Sequence, residues 1–412
     1  MNFHFEEFTV GTGATPEVLS EPLRPTGSPT LSEEAAFGDK HCAHCGKPHS
    51  AIWCQDCAED NVGQLRVFYC SKSCQEQHAA AHKQICETRR RLVRAVSILR
   101  EVWTTFEQET FSSNVLFVEE RNREVFLRLP DESSDALNGG WTGASFLKAF
   151  PHDVLPESAS NVIKKAVLFD NTCTQVLFVG LPLVNSLLKS ITKDIAEASV
   201  EPKDPALVVH LAGKSLPFAN HCVLRASLHT GEVFAIDLTG TQYGWMEQLY
   251  TWHTYVRHRV KHVESIGPLG GVKQLETMIL SFAPPAGTGG ASHTIRRNIM
   301  EGLTRSLITE FVQRRTTARD FLSLPQATFI HDRARLISHL KDFIRQEVQK
   351  LRRLGVGRLY FDHEFCPHVT LTAEEAIKYS NVWLSKEAYD ANKGNSVALE
   401  RMWTERMRKS RS

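Results

Sequence analysis

The chain has 412 residues, of which 42% are hydrophobic, with 48 basic and 47 acidic side chains and a formal net charge of +1. That length allows two or three domains. The net charge is near zero, and no apolar run approaches the ~20 residues a helical membrane span needs.

Residues 1–38 are rich in Thr, Ser, Pro and Glu and poor in aliphatics, the composition of a disordered tail. Residues 39–88 hold the densest chemistry. Seven of the ten cysteines fall between Cys42 and Cys86. They read Cys42-x2-Cys45, Cys54-x2-Cys57 and Cys70-x3-Cys74, followed by His82-x3-Cys86. Eight soft ligands are enough to close two tetrahedral zinc sites. A disulfide framework fits poorly, because seven is odd, a histidine completes the spacing and nothing upstream looks secretory. Thiols committed to metal imply a reducing, intracellular compartment, cytoplasm or nucleus.

Ser73 followed by Glu76 is a capping-box signature and predicts a helix starting near Cys74. On that helix His82 and Cys86 are four apart and share a face. His78 lies two turns from Cys86, about 12 Å by helical rise. His82 is therefore the better ligand, and His78 is expected at the surface or beside the site. His41, His44 and His49 are rival ligands only if a cysteine fails. Spacing alone leaves sequential and interleaved pairings open.

Further along, Ile85, Leu92, Val96, Leu99, Trp103 and Phe106 carry a helical pattern from about Cys86 to Glu109. The segments 114–120 and 124–129 read as a hairpin. Helices are expected near 158–169 and 172–193, then a strand over 206–213. Two more strands, 221–228 and 232–240, are joined by a turn at His229-Thr230-Gly231. The remainder reads as mainly helical, most clearly over 332–354, with Leu336, Leu340, Phe343, Ile344 and Val348 on one face. The expected class is α+β: a small finger, a mainly helical body over 89–330 with a small antiparallel sheet, and a helical region over 331–412.

The cysteine-rich segment closely resembles the MYND zinc finger. The resemblance rests on Tyr69-Cys70, Cys74-Gln75, His78, His82-Lys83 and Cys86 and covers about fifty residues. The interval from Cys57 to Cys70 is longer than usual for that family, and Ala79 stands where the family has tryptophan. The resemblance implies interleaved sites: Cys42, Cys45, Cys70 and Cys74 hold one zinc, and Cys54, Cys57, His82 and Cys86 the other. Both sites would be full, hence structural. It also implies a protein-interaction role, with a short proline-rich peptide as ligand and Gln75 near the peptide groove. The missing tryptophan weakens the proline-rich reading, since it removes a surface for proline packing. From Lys40 to Glu87 basic and acidic residues balance, which argues against nucleic acid. Arg89, Arg90, Arg91 and Arg94 read as a solvated helix face.

A second constellation lies in the body. Cys173 sits near the start of an apolar helix, His221 opens a strand and Asp237 lies on the next. This order resembles transglutaminase-like and papain-like folds, in which a thiol, an imidazole and an orienting acid cooperate. Each residue also has a plain reading: a buried apolar cysteine, a hydrogen-bonded strand histidine and an acid that caps a turn. Asn220-His221-Cys222 faintly echoes a motif of SET-type lysine methyltransferases, without its serine and without a glycine-rich cofactor segment. His253, His258 and His262 read as a solvated helical stretch. Cys366-Pro367-His368 lacks a partner knuckle. The function expected from the sequence is protein–protein interaction through the finger. A thiol enzyme is the alternative, and a methyltransferase ranks third.

Overall fold

The protein is described by a computed structural model, covering residues 41–54, 67–111, 115–121, 124–128, 147, 149–211, 220–274, 288–353, 360–361 and 367–368. The finger is built on two short strands, β1 (Ile52–Trp53) and β2 (Phe68–Tyr69), paired antiparallel. Helix α1 (Lys72–Glu109) follows at once. Its cap is Ser71 rather than Ser73. Ser71 is extended (φ −152°, ψ 162°), and its hydroxyl accepts the Cys74 N–H at 3.2 Å. The backbone leaving β2 is still extended at Ser71, so the hydroxyl there reaches the open N–H groups of the first turn.

The finger helix and the expected body helix are one 38-residue element. Its first turns carry Cys74, His82 and Cys86. Beyond them Leu92, Val96, Leu99, Val102, Trp103 and Phe106 are buried at helical spacing in the main core. The expected solvated face is not what forms. Arg94 is 1% exposed and donates to the Leu322 and Leu324 carbonyls and to Gln326, with the Phe329 ring 4.2 Å from its guanidinium. Arg89 is likewise buried and pairs with Glu232 on a strand turn. These arginines tie α1 to the body instead of facing water.

The body follows with β3 (Phe117–Arg121), β4 (Glu124–Arg128), α2 (Asn161–Phe169), α3 (Cys173–Phe178), α4 (Leu181–Leu188), β5 (Thr192–Pro202) and β6 (Val208–Leu211). Then come β7 (His221–Leu228), β8 (Val233–Ile236), β9 (Leu249–Thr251), α5 (Trp252–Arg259) and β10 (Val260–Pro268). Helices α6 (Thr288–Gln313), α7 (Ala318–Leu322) and α8 (Gln326–Arg353) complete the core, and β11 (Tyr360–Phe361) pairs with β12 (Pro367–His368). The class is α+β. The main sheet is antiparallel with strand order β10-β5-β7-β8-β9, and β3-β4-β6 form a second sheet in which β6 runs parallel to β4.

Several elements differ from expectation. The helix expected over 172–193 is two helices, broken at Val179-Gly180. A Cβ on Gly180 would lie 2.7 Å from the Val176 carbonyl and 3.3 Å from the Trp103 ring, so the chain needs glycine at this approach. Strand β5 was missed because alanine and glutamate fill it and both faces are covered, which erases the period-two signal. Strand β10 is an exposed, charge-bearing edge. Helix α5 stops at Arg259, so His262 lies on β10 and His258 and His262 do not share a helix.

The central strand β7 separates two packing layers. Cys222, Leu224, Ala226 and Leu228 face the helical core. Val223 faces a smaller cluster with Ala198, Val200, Ala235, Tyr250 and Tyr255. This alternation brings the second constellation to one end of the sheet.

Candidate functional sites

In the finger, the Sγ atoms of Cys45 and Cys70 lie 3.5 Å apart, Cys70 and Cys74 3.6 Å, and Cys74 and Cys45 3.9 Å. With Cys42 they form a group whose ligand atoms all lie within 4.8 Å of one another. Cys54, His82 and Cys86 form a second such group, with the Cys54 and Cys86 sulfurs 3.8 Å apart. Cys57 lies outside the described residues. A tetrahedral zinc with bonds of ~2.3 Å separates its sulfurs by ~3.8 Å, whereas a disulfide needs ~2.05 Å. The spacing fits a metal, and all described cysteines are free thiols.

The two groups are interleaved for a geometric reason. Cys54 follows β1 and Cys70 follows β2. Because the strands are antiparallel, the two residues leave at opposite ends of the ladder. Helix α1 then delivers Cys74 to one end and, about two and three turns later, His82 and Cys86 to the other. Crowding splits the thiols' proton affinities. Burial would raise Cys42, but backbone N–H groups at Cys45, Cys70 and His44 bring it down to about 6. Hydrogen bonds with Cys45 and Cys74 push Cys70 up to about 12.

His78 belongs to neither group. Its Nδ1 lies 3.1 Å from the Tyr69 hydroxyl, and its ring stacks on His82 with centroids 5.8 Å apart. Burial, and then the neighbouring His82 and His44, hold its pKa below the usual imidazole value. Gln75 is half-buried in the first turn of α1. On β1, Ile52 and Trp53 are 37% and 43% exposed.

In the body, His221 is 0% exposed. Its Nε2 lies 2.9 Å from Asp237 Oδ1, and the side-chain amide of Gln242 lies 3.1 Å from Nδ1. Asp237, one residue past β8, also accepts the Tyr255 hydroxyl on Oδ2 at 3.0 Å and the Thr239 N–H on Oδ1 at 3.3 Å. The Tyr243 ring packs edge-on to the imidazole, centroids 5.0 Å apart. Cys173 is the first residue of α3. Its Sγ lies 3.9 Å from the Asn220 carbonyl and interacts with both the Cys222 thiol and the His221 imidazole.

The charges follow from these neighbours. The Cys222 thiol, outweighing burial and joined by His221, holds Cys173 well below the usual thiol range. Burial works against charge on His221, but the Asp237 carboxylate and Cys173 outweigh it and raise the imidazole to about 10. Both shifts favour the charged forms of the pair. Asp170 is raised to about 6, by burial and then by the Cys173 charge. A six-residue α3 adds little dipole, so the side-chain neighbours, rather than the helix end, hold the thiol low. Cys222, Gln242, Tyr255 and Asp170 were not singled out as members of this site from the sequence. Only the Asn220-His221-Cys222 run pointed toward one of them.

Gly240 is a tight part of this site. A Cβ there would lie 2.4 Å from Asp237 Oδ2. Gly240→Ala should displace the carboxylate and cost about 1–3 kcal/mol. Chemical denaturation should show this, and an unchanged midpoint would contradict the packing.

Residues 42–86 match the family model described as MYND finger. This chain carries a MYND finger, and that finger binds zinc, with two Cys/His groups placed for two ions. No curated protein and no solved structure matches the chain. Among the described residues no helix is long and apolar enough to cross a membrane.

Proposed function

We propose that this protein is an adaptor whose finger docks a protein partner at a fixed position on the body. The observation that carries this is the continuity of α1, which runs from the finger's ligands into the main core without a linker. In this reading Cys42, Cys45, Cys70 and Cys74 hold one zinc, and Cys54, Cys57, His82 and Cys86 the other. Both ions are structural, because four protein ligands leave no position for substrate. Thiols used in this way suit the reducing cytoplasm or nucleus.

The finer reading is a short proline-rich peptide. Ala79 removes one aromatic surface, but the exposed Trp53, with Ile52, offers another on β1, and Gln75 supplies an amide in the helix's first turn. Indole faces pack well on proline rings. Titrating zinc-loaded protein with proline-rich peptides should give binding that weakens about tenfold or more in Trp53→Ala. Equal affinity of the variant, at unchanged zinc content, would remove Trp53 from the surface.

A second reading is favoured by Cys173 beside His221, with Asp237 2.9 Å behind the ring and both shifts toward the charged forms. We propose thiol-dependent acyl chemistry of the transglutaminase or papain type as the alternative. Cys173 would attack an acyl carbon, His221 would protonate the leaving group and Asp237 would hold the ring. An ordinary thiol near 8.5 is only a few per cent ionised at pH 7. Alkylation of Cys173 should therefore keep most of its high-pH rate at pH 7, and a steep fall between pH 9 and 7 would show an ordinary thiol.

A further inference from the structure

Cys173 and Cys222 meet where α3 crosses the start of β7. The strand's alternation points Cys222, with Leu224, Ala226 and Leu228, toward the helices. Cys173, at the first position of α3, reaches the same place, its sulfur 3.9 Å from the carbonyl of Asn220 and in interaction with the Cys222 thiol. Both belong to the body and neither falls in a zinc-ligand group. We propose that Cys173 and Cys222 are a redox pair that closes to a disulfide when a small hydroperoxide oxidises Cys173.

The two thiols are already unequal. Cys222 and His221 hold the Cys173 thiol low, while Cys173 and burial push the Cys222 thiol up. That is the division between an attacking and a resolving cysteine. His221, held by Asp237 at 2.9 Å, supplies a proton beside the attacking sulfur. Access favours a small reagent: Cys173 is 8% exposed, while Cys222 is half-buried.

The chemistry balances with the peroxide as oxidant. The Cys173 thiolate attacks one peroxide oxygen, an S–O bond forms and the O–O bond breaks. The departing oxygen leaves as alcohol or water with the proton from His221. Cys173 is then a sulfenic acid. Cys222 loses its proton and attacks the Cys173 sulfur, the S–S bond forms and the S–O bond breaks, releasing water. Two thiols lose two electrons and the peroxide gains them. A dithiol reductant reverses the result.

This inference does not depend on partner binding by the finger or on acyl transfer. Zinc-loaded full-length protein treated with stoichiometric hydrogen peroxide should lose about two mass units, and peptide mapping should join Cys173 to Cys222. The third body cysteine, Cys366, is mapped in the same digest for comparison. In Cys222→Ser the reaction should stop at a sulfenic acid on Cys173 that dimedone traps. Wild-type protein in which both cysteines stay reduced while Cys366 or the finger thiols oxidise would overturn the proposal, as would mapping of either cysteine to a different partner. The wild-type map stands whether or not the variant folds. Peptide titration and zinc content of the same sample report separately on the finger.

Discussion

Cys70→Ala is expected to lose both zinc ions, not one. Cys70 belongs to one ligand group, and Cys54, His82 and Cys86 belong to the other. Yet both groups hang on the same two-residue ladder and the same first turns of α1. Among the described residues, the finger's core consists of the ligands themselves with Ala43, Val67 and Tyr69. So few apolar side chains cannot hold a fold without metal, and structural zinc contributes roughly 10–16 kcal/mol to such modules. Taking one sulfur from the first group frees the start of α1, and the second group then has no scaffold. Metal analysis should return close to zero zinc per chain, against two for the wild type. A variant that kept one tightly held zinc would show that the sites are independent and that the shared scaffold does not couple them.

Asp237→Ala is expected to destabilise the body by about 3–5 kcal/mol, the usual cost of leaving a buried charge without its partner. His221 and Asp237 are 0% and 1% exposed, so water cannot replace the lost carboxylate. Tyr255, fully buried, loses its acceptor as well. The imidazole would shed its proton, and Cys173 would lose the cation beside it. Two measurements follow: a lower denaturation midpoint, and slower alkylation of Cys173 at pH 7. Asp237→Asn separates them. It keeps the shape and part of the hydrogen bonding, so it should cost less stability but slow alkylation as much as alanine does. If the asparagine variant alkylated at the wild-type rate, the thiolate would owe nothing to the carboxylate.

The finger was legible because its information is local. Paired cysteines at x2 and x3 spacing, with His82 four before Cys86, state their ligand chemistry within a few residues. What spacing left open was the pairing, since that depends on β1 and β2 running in opposite directions. The cap was misplaced by two residues for a related reason: Ser73 has the glutamate of a capping box, and only the path of the chain out of β2 puts Ser71 in the cap position. In the body, β7 and β8 announced themselves through alternation and the turn at Gly231, which has φ +89°. Strand β5 did not, being covered on both faces. Arg94 misled in the opposite direction. In a run of arginines it looks like solvent-facing charge, and only the carbonyls of Leu322 and Leu324, more than two hundred residues away, make it a core residue. The Cys173, His221 and Asp237 triplet was readable as an order along the chain. Their neighbours Gln242 and Tyr255 were not, because nothing in the sequence marks a glutamine or tyrosine as the partner of a distant histidine or acid.

The unbroken α1 has a thermodynamic consequence. A helix that begins with zinc ligands and ends in the hydrophobic core makes the metal a ligand of the whole fold. Zinc binds only the ordered finger, so it favours every state in which the first turns of α1 are formed. Reciprocity then requires that a change in the body that favours the ordered first turns of α1 tightens its hold on zinc by as much as zinc favours that change, and one that loosens those turns weakens the hold. A change in the redox state of a pair such as Cys173 and Cys222, far along the chain from the finger, would be read out there as a change in zinc affinity.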